Sequence, residues 1–186
     1  MDHEKIMAGV QLILEGIGED PNREGLVRTP ERMAEYFEEV LAGYAQDPTQ
    51  ELRKYTTSNK DEMIIIKDVS FYSLCEHHLL PFFGLVHIAY IPQNDKVAGF
   101  SNMVRVVEIL AQRLQVQERM TTDIADAMQA AIEPKGVLVV AEAEHLCLTM
   151  RGIKKPGSRI VTSAVRGMMR RPATRNEALT LMGRGE

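Results

Sequence analysis

The chain has 186 residues, enough for one domain with an N-terminal appendage. Its net charge of −4 argues against broad nucleic-acid binding, which usually needs a basic face, and its two cysteines are too few for a disulfide framework. Apolar residues make up 45% and Trp is absent, so the core is expected to be aliphatic and lined with methionine.

Ile6, Val10, Ile13, Leu14 and Ile17 recur at helical spacing, which predicts an amphipathic helix over residues 3–17. Asp20-Pro21-Asn22-Arg23-Glu24-Gly25 reads as a turn. Thr29-Pro30 predicts the next helix start, with Thr29 as N-cap and Pro30 at the first helical position. That helix carries Met33, Tyr36, Phe37, Val40 and Leu41 on one face. Residues 44–60 are polar and are expected to form an irregular link. The chain would thus divide into an N-terminal helical region, 1–60, and a second domain, 61–186.

The pattern changes from Glu62. Residues 63–66 are apolar and largely β-branched, and Val69 and Phe71 extend them as a strand. Residues 84–91 predict a second strand, with Val86, Ile88 and Tyr90 facing one way and Leu85, His87 and Ala89 the other. Pro92-Gln93-Asn94-Asp95 is a turn. Met103, Val106, Val107, Leu110 and Leu114 give a helix. After a break near Arg119, Ile124, Ala127, Met128, Ala131 and Ile132 give another. A third strand opens at 137–140, a fourth spans 160–165, and a short helix over 172–183 closes the chain.

The order is helices, then β-β-α-α-β-β. It predicts an α+β fold: an antiparallel four-stranded sheet with helices on one face. Such a small sheet has exposed edges, so a homo-oligomer formed by edge pairing is expected. No apolar run approaches the roughly 20 residues that span a bilayer. Met1-Asp2-His3-Glu4-Lys5 does not open a signal peptide. A soluble, cytoplasmic protein is expected, with no membrane and no nucleic-acid partner.

The chemistry gathers at Cys75-Glu76-His77-His78. Cys75 and His78 are three apart, close enough in a turn to grip one metal ion. The other cysteine lies in His145-Leu146-Cys147. If the segments meet, two thiolates and one imidazole make a zinc site with an open fourth position. Cys147 alone also reads as a small buried hydrophobe. His77 or His145 could close the site as a fourth ligand, but not both, and the surplus imidazoles favour an open, catalytic site. His87 alternates with apolar residues and reads as a satisfied core histidine. Strand alternation continued to Arg151 would set His145, Cys147, Thr149 and Arg151 along one wall. Two thiolates cancel the charge of Zn²⁺, so proton carriers are needed nearby, and His77 and His145 are the candidates. Residues 99–105 open a helix, a natural place for anions. Glu118, at the far end of that helix, has two readings: a solvated helix end, or a carboxylate that accepts two hydrogen bonds from a guanine edge. Arg151, Lys154, Lys155 and Arg159 form a basic run suited to phosphates or to a charged loop.

Several motifs in one order resemble GTP cyclohydrolase I. They include Asp20-Pro21-x-Arg23-Glu24-Gly25-Leu26, Thr29-Pro30-x-Arg32, Cys75-Glu76-His77-His78-Leu79-Leu80-Pro81-Phe82, Gln115-Val116-Gln117-Glu118-Arg119, and Glu142-Ala143-x-His145-x-Cys147. The resemblance implies the tunnelling fold, assembled as a decamer of two pentamers with active sites between subunits. It implies GTP as substrate, opened at C8 of the guanine ring with release of formate, and 7,8-dihydroneopterin triphosphate as product. It implies zinc on Cys75, His78 and Cys147, with His77 and His145 as acid/base groups and Glu118, with Gln117 beside it, on the guanine edge. Ser101, Arg105, Arg151 and, from another subunit, Arg32 would contact ribose and triphosphate. The family usually has Lys where this chain has Asn102, and Arg159 or a nearby Lys is expected to replace that charge.

Overall fold

A computed structural model describes residues 1–56 and 62–183. The chain divides into two compact units, Met1–Ala42 and Gly43–Glu186. The expected boundary at 60/61 lies outside the described residues.

The first unit is a pair of packed helices, α1 (His3–Gly16) and α2 (Thr29–Val40). Asp2 caps α1, its carboxylate accepting the Lys5 N–H at 3.1 Å. At α2 the expectation is off by one residue. Thr29 is already helical, Arg28 holds the cap position, and no side chain caps the helix. The reason is local: the Thr29 N–H is taken by the Leu26 carbonyl at 2.8 Å, so the preceding turn runs straight into the helix.

The second unit runs α3 (Pro48–Glu51), β1 (Lys54–Thr56), β2 (Ile64–Cys75), β3 (Pro81–Ile91), β4 (Lys96–Ala98), α4 (Phe100–Ala111), β5 (Leu114–Gln115), α5 (Gln117–Ile132), β6 (Gly136–His145), α6 (Leu146–Thr149), β7 (Ile160–Gly167) and α7 (Pro172–Leu181). The α+β class is as expected. The four long strands are antiparallel, in the order β2-β3-β6-β7. The sheet is nevertheless five-stranded, because β5 adds to β2 in parallel, pairing Leu114 with Leu74 and Gln115 with Cys75. A separate two-stranded ribbon, β1 with β4, occupies part of the stretch expected to be irregular. Strands of two or three residues leave no periodicity to read.

Alternation divides the sheet as anticipated. Val86, Ile88, Tyr90, Val137, Val139 and Ala141 face α4 and α5 in the main core. Ala89, Ile91, Leu138 and Val140 face the other way and meet Met169, Ala178 and Met182. Helices therefore do not keep to one face, because the C-terminal segment with α7 covers part of the second. Asn94 and Asp95 both take positive φ, 56° and 58°, in the turn between β3 and β4, the conformation Asn and Asp tolerate best. His87 is the satisfied core histidine expected: it is buried, and its Nδ1 accepts the Asp68 N–H at 3.1 Å.

The condition that would set His145, Cys147, Thr149 and Arg151 along one wall is not met: β6 does not run on to Arg151. It stops at His145, and residues 146–149 form the single helical turn α6. The ladder explains this. His145 pairs with Phe82 near the start of β3, and β7 last pairs at Ala143, so a longer strand would have no neighbour on either side.

Candidate metal centre and active site

β2 delivers Cys75 into a tight turn. The Cys75 carbonyl accepts the N–H groups of His78 at 3.3 Å and Leu79 at 2.8 Å, while the Cys75 N–H donates to the Leu80 carbonyl at 2.9 Å. The turn is helix-like, so residues three apart share a side. Leu79 pays with a positive φ of 53°. Cys147 arrives on α6. The ligand atoms of Cys75, His78 and Cys147 all lie within 4.8 Å of one another, and both cysteines are free thiols. Cys147 reaches the cluster from a helical turn, not from strand alternation, and the three groups converge as the sequence reading required. Burial and the neighbouring Cys75 push the Cys147 thiol up; a bound cation works the other way and holds a ligating thiol deprotonated.

Two histidines flank this cluster. His77 Nδ1 lies 3.8 Å from Cys75 Sγ, and its side chain is 63% exposed. His145 lies flat on Phe82, centroids 4.6 Å apart and planes 8° from parallel. Its Nε2 meets Gln117 Oε1 at 2.7 Å. Burial holds His145 below the usual histidine range, opposed by the charge of Glu118. A ring held neutral is ready to accept a proton.

Glu118 and Gln117 sit in the first turn of α5, not at the end of α4. Glu118 is exposed and Gln117 buried. Next to them, Arg119 ties α5 to the metal turn. Its guanidinium pairs with the Glu76 carboxylate and donates to Gln115 Oε1 at 3.0 Å and to the Leu114 carbonyl at 3.0 Å. The hydrogen bond from Arg119 holds the Glu76 carboxyl below its ordinary range. Cys75, His77, Gln117, Glu118, His145 and Cys147 line one cleft of about 260 Å³. Ligand sites commonly offer about 300–1,000 Å³, so this cleft lies just under the small end of that range.

A family model described as GTP cyclohydrolase I matches residues 6–183. The chain belongs to the GTP cyclohydrolase I family. A relative named GTP cyclohydrolase 1 from Carboxydothermus hydrogenoformans is 56% identical, over 98% of this chain and 96% of its own. Proteins of the same name from Pelotomaculum thermopropionicum and Geobacillus kaustophilus are each 54% identical. They cover 97% and 96% of this chain, and 97% and 95% of their own lengths. The expectation of an enzyme of this family stands.

The other residues to which the family resemblance gives a role are dispersed. Ser101 and Arg105 line a second cleft of about 520 Å³ with Glu51, Asn102 and Glu108, and Arg105 reaches Glu108 at 3.4 Å. Arg151 does reach the metal cluster, its Nη1 2.8 Å from His78 Nε2. Arg32 is exposed on α2, in the first unit. Arg159 pairs with Glu142 at 3.0 Å and lines a cleft beside Tyr72 and Phe83, not the one that holds Asn102. Sequence reasoning gave no role to Phe82 and Arg119. Both stood inside quoted motifs, but their work, a ring stack and a long-range ion pair, leaves no mark in local spacing.

Proposed function

We propose that this protein is a zinc-dependent GTP cyclohydrolase I. It opens the imidazole ring of GTP by hydrolysis, releases formate and yields 7,8-dihydroneopterin triphosphate. The observation that carries this reading is the convergence of Cys75, His78 and Cys147, with both cysteines lining the cleft that also holds His77, His145 and Glu118.

The donor set fits zinc. Two thiols and one imidazole are soft-to-borderline donors, and three ligands leave a position open, as catalytic zinc sites do. Cys75, His78 and Cys147 hold the ion. When bound, it supplies the Lewis acidity that makes water nucleophilic near neutral pH. His77, exposed beside Cys75, gives a proton to the departing imidazole nitrogen of the base. His145 is the second acid/base group. Glu118 accepts hydrogen bonds from the ring N–H and the amino group of guanine. Ser101, Arg105 and Arg151 contact ribose and triphosphate, with Arg32 supplied by another subunit.

The fold is the tunnelling fold and the assembly a decamer of two pentamers. Its support is that β5 and β7 form the two edges of the sheet, the places where a neighbouring chain can add a strand. Composite sites then unite clefts that are separate in one chain. The proposed setting is the cytoplasm, where two free thiols stay reduced.

Zinc-loaded protein incubated with GTP should release formate and give a fluorescent pterin after oxidation. His77→Ala should keep its zinc and lose turnover by about 10²–10⁴-fold, the usual contribution of an acid/base group. Parent-like turnover in that variant would remove His77 from the mechanism, and no formate from the parent protein would sink the whole reading.

A further inference from the structure

Gln117 opens α5 with a side chain that is only 1% exposed. Its amide nitrogen lies 3.0 Å from the Ala141 carbonyl, 3.0 Å from the Ile160 carbonyl and 3.0 Å from Thr162 Oγ1. Backbone carbonyls only accept, so this end of the amide is the NH₂ group, and its two hydrogens are committed there. The hydroxyl chain agrees. Thr121 Oγ1 donates to the Gln117 backbone carbonyl at 2.7 Å. Thr162 Oγ1 must therefore donate to Thr121 Oγ1, 2.7 Å away, and turn a lone pair toward Gln117. Flipping the amide would set its oxygen against two carbonyl oxygens in a buried place, leaving several polar groups unmet.

The amide oxygen is thereby aimed at His145 Nε2, 2.7 Å away. An oxygen facing a ring nitrogen at that distance needs a hydrogen between them, and only the ring can bring it. We propose that Gln117 is a positioning residue which fixes the rotation of the His145 ring and holds it as its Nε2–H tautomer, with Nδ1 as the bare ring nitrogen. Phe82 sets the plane of the ring, and Gln117 sets its rotation within that plane and its tautomer. The same commitments leave the Gln117 amide no hydrogen to donate to the purine. Glu118, exposed on the same turn, is then the side chain that reads the guanine edge. This inference rests on His145 acting as an acid/base group in the proposed reaction.

The tautomer can be read without substrate. In ¹⁵N NMR spectra of zinc-loaded protein labelled at histidine, with His145→Gln to assign the signal, His145 should show a protonated Nε2 and a bare Nδ1. A hydrogen on Nδ1 would overturn the proposal whether or not the protein acts on GTP. In Gln117→Met, kcat for formate release should fall about 10²-fold or more, within the range acid/base groups contribute, with KM for GTP changed by less than about twofold. Gln117→Glu, which keeps an acceptor for the Nε2 hydrogen, should regain part of the lost kcat. A raised KM with kcat unchanged would make Gln117 a base-binding residue and refute the positioning role. Should Gln117→Met fail to fold, the spectrum of the unaltered protein still decides. Absence of any turnover in the parent would count against the proposed reaction, not against the tautomer.

Discussion

Asp123 lies on the same helix as Glu118 and Arg119. Burial pushes its carboxyl up, against the Gln115 hydrogen bond and the charges of Arg119 and Arg113. A carboxyl raised in the folded state favours folding most when protonated, below its unfolded value near 3.9. That contribution is lost as pH rises through the folded value. Asp123→Asn should therefore melt higher than the parent at pH 7, and the gap should close on acidification below about pH 4. A gap that widened in acid would mean that the neighbouring guanidinium groups outweigh burial. Single residues were also where the sequence spoke most clearly. Cys75 and His78, three apart, announced a shared turn, and the turn exists. Arg119 and Phe82 could not be read the same way. Each acts on a partner more than 40 positions away in sequence, and only the paired strands and α5 bring them together.

Elements of regular period were legible, and those governed by their neighbours were not. The apolar alternation of β3 and the helical stripe of α5 stand as expected, because burial of one face dictates both patterns. The end of β6 was misplaced because a strand persists only while something pairs with it. Close pairing also explains Gly84. A Cβ there would lie 1.9 Å from the Glu142 carbonyl oxygen on the adjacent strand. Gly84→Ala should force β3 and β6 apart and cost about 1–3 kcal/mol, in line with other overpacked sites, read by urea unfolding. An unchanged midpoint would show that the strands yield freely at that point.

Across the whole molecule, the core between the sheet and α4 and α5 owes nothing to the metal ligands beyond Cys75 and the flanking Cys147. The turn that presents Cys75 and His78 is closed by backbone hydrogen bonds, and Arg119 braces it from α5. If the proposed zinc site is correct, a chelator should abolish turnover while leaving the far-ultraviolet circular dichroism unchanged, with melting lowered only by the mass-action share of the bound ion. Collapse of the dichroism on chelation would place the ion in the folding reaction itself, as in small zinc-dependent domains.

A ligand-bearing loop braced by main-chain bonds has a cellular consequence. On the proposed zinc-dependent reading, the protein under zinc scarcity would survive as an idle, intact reserve instead of being cleared as unfolded chain. Resupply of the ion would then restart it within the time of diffusion and uptake, with no new synthesis.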